Sequence, residues 1–178
     1  MKKFVIKLLV ALILLTVIFY TVYTYPREFN KECKGILYRL GDSDKNYTKE
    51  VTVKFDGIFS KDFIFGYHYI GDIFVDNFKV KINEVKFDKY NKGHLEPYYD
   101  ENTDETVNLG MIIVDSNFSK LIIAVHDILM ITENESHYKW STGDGLVIAA
   151  PAENRIEALN ITKELLSKYL HIPEANFK

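Results

Sequence analysis

One segment constrains this chain more than any other: Phe4 to Tyr25 is apolar except for Lys7 and three threonines. At 1.5 Å of rise per residue, about 20 apolar residues cross a hydrocarbon core of about 30 Å. Leu8 to Tyr25 nearly meets that length alone. Lipid offers no partner to a bare peptide group, so such a run must be helical there. Lys7 is close enough to the start for its stem to carry the ammonium to the interface. Tyr20, Tyr23 and Tyr25 stand at the far end, where amphipathic rings settle at headgroup level.

A cleaved signal peptide has a shorter apolar region and small residues before the cut. Here the run is long, and Thr21-Val22-Tyr23-Thr24-Tyr25-Pro26 has no A-x-A-like pattern. A lipoprotein signal does not fit either, because Asn30-Lys31-Glu32 before Cys33 is polar. The expectation is therefore an uncleaved single-pass anchor, residues 1–25, touching the lipid bilayer through residues 4–25. Lys2, Lys3 and Lys7 predict a cytoplasmic N-terminus in the cell membrane and a C-terminal domain outside.

The rest of the chain can fold by itself. Apolar residues make up 47% of the 178 and charged residues 26%, which is enough to bury a core. With 22 basic against 25 acidic residues, the chain lacks the basic surface that a general nucleic-acid binder needs. Without the three N-terminal lysines, 19 basic residues face the same 25 acids, so the outer part should stand off an anionic surface. The single cysteine, Cys33, excludes an internal disulfide framework and a cysteine-rich zinc site. In an oxidising compartment it is either an idle thiol or the link of a homodimer.

Residues 26–34 read as a juxtamembrane stalk and 35–178 as one extracytoplasmic β-rich domain. Ile36 to Leu40 is a short apolar run closed by Gly41-Asp42-Ser43-Asp44. Val51, Val53 and Phe55 alternate with polar residues up to Asp56-Gly57. Phe63 to Val75 reads as two strands, or as one bent strand with a bulge at Gly66 or Gly71. Phe78, Val80 and Ile82 alternate with Lys79 and Lys81, and Val85 and Phe87 resume after Asn83-Glu84. Residues 88–108 form a long polar loop. Met111 to Val114, Leu121 to Met130 and Leu146 to Ala150 read as buried strands, separated by Asp115-Ser116-Asn117 and by polar residues 132–144.

The period then changes. Asn154 is placed to cap a helix, with Glu157 three residues on. Ala158, Leu159, Thr162, Leu165, Leu166, Tyr169 and Leu170 fall on one face, and Pro173 ends the helix near Leu170. The predicted fold is α+β: a transmembrane helix, then an antiparallel meander-like sheet with one C-terminal amphipathic helix packed on it.

Residues with chemical potential are scattered. His68, His94, His126, His137 and His171 show no metal-ligand spacing, and His126-Asp127 points its two side chains to opposite faces of a strand. Asp42-Ser43-Asp44 and Asp100-Glu101-Asn102-Thr103-Asp104 begin like calcium loops but lack the glycine at position six and the glutamate at twelve. Ser141-Thr142-Gly143-Asp144-Gly145 precedes a strand rather than a helix, so it reads as a turn. Phe59, Phe63, Phe65, Tyr67, Tyr69 and Phe74 are expected to be buried beneath the helix, the alternative being an exposed strip for sugars or peptides. No residue is assigned as catalytic, cofactor-binding or metal-ligating.

Gly145-Leu146-Val147-Ile148-Ala149-Ala150-Pro151-Ala152-Glu153-Asn154-Arg155-Ile156-Glu157-Ala158 resembles the end of small single-pass membrane-anchored proteins of low-GC Gram-positive bacteria. The Phe74 to Phe87 region after Gly71-Asp72-Ile73 is similar in style, as is the bias to Lys, Asn, Ile and Tyr. That resemblance implies an envelope location and lends no catalytic residues.

Three functions follow as expectations. The first is a non-enzymatic outer domain that binds a protein or envelope partner. The second is an enzyme with a site built from loops 88–108 and 132–144, using His94, His137 and Asp144 for acid–base work. The third is structural self-association.

Overall fold

A computed structural model describes residues 2–41, 47–62, 66–76, 78–95, 98–100, 105–107, 110–131 and 136–171. In it the apolar run is one helix, α1 (Lys2–Thr24), with no residue buried in the rest of the protein. It is long and apolar enough to cross a membrane. The sheet elements follow as β1 (Arg27–Arg39), β2 (Thr48–Asp62), β3 (Gly66–Val75), β4 (Phe78–Phe87) and β5 (Lys92–Leu95). Then come β6 (Tyr98–Asp100), β7 (Glu105–Val107), β8 (Gly110–Val114), β9 (Leu121–Val125), β10 (Asp127–Ile131), β11 (Ser136–Lys139) and β12 (Leu146–Ala150). The chain closes with α2 (Arg155–Leu170).

Eight strands form one antiparallel sheet in the order β4-β3-β2-β1-β12-β9-β8-β5. Read as a ring, this is a meander in which every strand lies beside its neighbour in sequence once two short hairpins, β6–β7 and β10–β11, are set aside. The sheet ends, β4 and β5, meet through the turn Asp88 to Asn91. A Cβ on Gly93 of β5 would lie 2.3 Å from Val85 Cγ1 of β4, which is why only glycine fits there. The result is a barrel with one seam.

Side-chain alternation divides the apolar residues between two cores. Val53, Phe55, Tyr69, Ile73, Ile112, Ile123 and Ile148 fill the barrel interior. Ile36, Tyr38, Ile113, Ile122, Val147 and Ala149 project outward and are covered by Ala158, Ile161, Leu165, Leu166 and Tyr169 of α2. The helix starts at Asn154, whose side chain accepts from the Glu157 amide, and ends at His171 in the left-handed conformation. Deep in that contact the Tyr38 hydroxyl donates to Thr162 Oγ1 at 2.7 Å. Burial pushes the Tyr38 phenol up to about 12.

Several expectations are corrected by the structure. Residues 27–34 are not a stalk: they are the first part of β1 and pair with β2 from Arg27↔Phe59 onward. Gly57 does not end a strand, because it lies opposite Gly71 and Tyr69 covers the gap, accepting from the Asp56 amide and donating to the Asp72 carbonyl. The polar loop 88–108 contains the short strands β5, β6 and β7. The run Leu121 to Met130 is two strands, broken at His126.

Of these aromatic residues, Tyr69 is buried and Phe59 and Tyr67 are half-buried, and all three pack on the barrel interior rather than under α2. Phe118, at φ +56° in the β8–β9 turn, inserts among Phe29, Phe59, Tyr67 and Phe87, with ring centres 4.7 to 6.2 Å away. Lys31 Nζ donates to its carbonyl. This plug seals the barrel end nearest α1. Phe74 faces the other way, beneath Lys54, while Phe63 and Phe65 lie outside the described residues.

Candidate functional site

Both inserted hairpins leave the barrel at one end. Leu95 of β5 pairs with Gly110 of β8, and β6–β7 lies between them in sequence. Val125 of β9 pairs with Leu146 of β12, and β10–β11 lies between those two. Leu146 in turn pairs with Arg39, the last residue of β1. The hairpins therefore grow from the end of β1 opposite α1, about 40 Å away at 3.3 Å per residue.

Gly110 holds this end together. Its φ is +70°, and a Cβ there would lie 2.5 Å from the Ala124 carbonyl oxygen and 2.6 Å from the His126 ring. Trp140 Nε1 donates to the Leu146 carbonyl at 3.0 Å, and the Gly145 amide donates to the Ser141 carbonyl at 2.8 Å. The glycine-bearing segment before β12 is thus a turn, as its sequence predicted.

The acid–base candidates are distributed as follows. His94 is exposed on β5 opposite Met111. Asp144 is exposed in the turn before β12, and its carbonyl accepts from Arg39 Nη1 at 2.9 Å. His137 lies on β11 opposite Met130, with its side chain outside the described residues. His94 acts electrostatically on His126, which lies in the break between β9 and β10. Burial lowers the His126 pKa, and the electrostatic influence of His94 adds to the effect. The only trace of this pair in the sequence is the polar interruption after Val125. Residues 88–91 of the loop 88–108 lie at the other end of the barrel, in the β4–β5 turn.

Among the described residues, no group of three or more His, Cys, Asp or Glu is placed to hold a metal ion. The Asp42-Ser43-Asp44 segment and residues 101–104 lie outside them. The Cys33 thiol packs against the barrel core with Sγ 3.6 Å from the Val53 carbonyl oxygen. Burial raises its pKa, with Lys31 opposing and Glu32 adding to the effect. A half-buried thiol whose pKa is raised gives no support to Cys33 as the link of a homodimer, the second of the two readings of this residue.

The fold and this end define a class: an α+β protein in which a membrane-length helix leads into a plugged eight-stranded barrel bearing two hairpins at its far end. No family model, no curated protein and no solved structure matches the chain.

Proposed function

We propose that the chain is a single-pass membrane protein whose outer barrel holds a protein-binding surface, the two hairpins, away from the bilayer. One observation carries this reading: both insertions grow from the barrel end opposite α1. The length of α1 and the lysines before it support the anchor and its orientation, N-terminus inside. The plugged interior directs attention to the outside of the barrel. Residues 96–109 contain five acids and no base, so a partner with a basic face is the complementary one.

Two arms test it in intact cells. A photo-crosslinking residue at Thr106 on β7 should capture a partner protein, and one at Lys54 on the barrel wall should not. Because Leu95 and Gly110 are already paired, residues 96–109 can be replaced by Asn-Gly, a turn that joins two adjacent strands. That variant should fold and lose the partner. Equal capture from both positions, or full capture after the replacement, would sink the reading.

A further inference from the structure

At the other end of the barrel, the last turns of α1 and the end of β2 enclose a crevice of about 250 Å³. Phe19, Val22 and Tyr23 form its helix wall, Phe59 and Lys61 its strand wall, and Arg27 its rim. Arg27 pairs directly with Phe59, and Lys61 is two residues further along β2. Strand alternation therefore puts Arg27, Phe59 and Lys61 on one face, and the neighbouring acids Glu28 and Asp62 on the other. Lys61 Nζ sits 5.8 Å from the Tyr23 ring centre and 5.3 Å from that of Tyr67. The Phe19 and Tyr23 rings stack at 6.1 Å.

We infer that this crevice binds the headgroup of an anionic phospholipid. The inference rests on the reading of α1 as a retained membrane anchor. Given that reading, Tyr23 and Tyr25 mark the headgroup level, and the crevice opens at that depth. Its inner wall, Phe19 and Val22, belongs to the part of α1 in contact with acyl chains. Its outer rim carries two cations. A guanidinium matches two phosphate oxygens at once, and an ammonium adds a point charge beside them. One ligand satisfies both walls: a phosphodiester whose own acyl chains run down along α1. The barrel is acidic overall, so these two cations make a local exception to the expected repulsion from an anionic leaflet.

The test uses the full-length protein in mixed micelles of phosphatidylglycerol and phosphatidylcholine, with retained lipid counted by native mass spectrometry. The parent should retain phosphatidylglycerol preferentially. Each interfacial charge contributes about 1 kcal/mol, roughly five-fold, so Arg27→Gln/Lys61→Gln should lower that preference about 25-fold. Lys79→Gln/Lys81→Gln, the same loss of charge on β4, should leave it unchanged. Circular dichroism of each variant checks that the fold is intact. Equal retention of the two lipids by the parent, or full preference in the folded Arg27/Lys61 variant, would overturn the site. Displacement of the lipid by inorganic phosphate would also overturn it, by making the crevice a free-anion site. The intact mass of the protein from cell membranes separates the two readings. A mass lacking α1 removes the anchor itself, whereas a full mass with no lipid preference removes only this site.

Discussion

Strands β8, β9 and β12 are enclosed on both faces, by the barrel interior and by α2, whereas β2 and β3 are enclosed on one. Their sequences differ accordingly. Ile112-Ile113-Val114, Leu121-Ile122-Ile123 and Val147-Ile148-Ala149 are apolar at every position and buried at every position. Val51-Thr52-Val53-Lys54-Phe55 alternates, and its polar members face solvent. A continuous run and an alternating one are the same backbone under different cover. One barrel therefore shows both patterns, and the boundary between them marks the footprint of α2.

Alanine substitutions at both parities should separate the two regions. Phe55→Ala should cost about 3–5 kcal/mol, and its neighbour Lys54→Ala no more than about 0.5 kcal/mol. In β9 there should be no such split: Ile122→Ala and Ile123→Ala should each cost about 2–5 kcal/mol, read from denaturant melts. A silent Ile122→Ala would mean that α2 does not cover the outer face of β9.

The cover itself can be weakened from above. Leu166 is fully buried, so Leu166→Ala should lower stability by about 2–5 kcal/mol. Glu164 is exposed and accepts from Lys120. Its alanine variant loses only a surface pair, worth about 0–1 kcal/mol. Equal melting of the two variants would contradict the observed face of α2.

A smaller effect is expected where the helix begins. Asn154→Ala removes the acceptor for the Glu157 amide and should cost about 1 kcal/mol, whereas Asn154→Gly should cost only a few tenths. Equal losses would mean that the side chain contributes nothing as a cap.

The smallest effect concerns His126, at the end of the enclosed run of β9. Its pKa in the folded protein lies below the unfolded value, so the unfolded chain binds the proton more readily. Its contribution is complete above the unfolded pKa of about 6.5 and is lost as pH falls toward the lowered folded value. Acidification from about pH 7.5 to about pH 5 should lower the Tm of the parent more than that of His126→Asn. Identical pH profiles would show that His126 is as free to protonate in the barrel as in the unfolded chain.

How much of this was legible depended on distance along the chain. The helix α2, its cap at Asn154 and its end at Leu170 are local properties and were read correctly. Ile161 was missed on its buried face. In β4 the apolar positions change parity between Ile82 and Val85, and there the β3–β4 register shifts. The interruption at Asn83-Glu84 was visible in the sequence, although the bulge was expected at Gly66 or Gly71. Strand β1 was cut short because Glu28, Asn30 and Glu32 look like linker, and their pairing partners, Ile58, Asp56 and Lys54, are distant in the chain. The end that carries the hairpins was illegible for the same reason. Nothing local indicates that Leu95 meets Gly110, or that His94 on β5 comes within electrostatic reach of His126 in the β9–β10 break.

Between α1 and β1 there are only Tyr25 and Pro26. Proline fixes its own φ and confines the residue before it to extended conformations, so this joint has few ways to swivel. Torque would pass through it. A helix that turned about its long axis in the lipid would swing the barrel through the same azimuth. Two copies whose helices met would present their hairpins at one set angle rather than at random. In such a chain, spacer residues added after Tyr25 would act as a clutch, leaving each part intact while uncoupling their rotation.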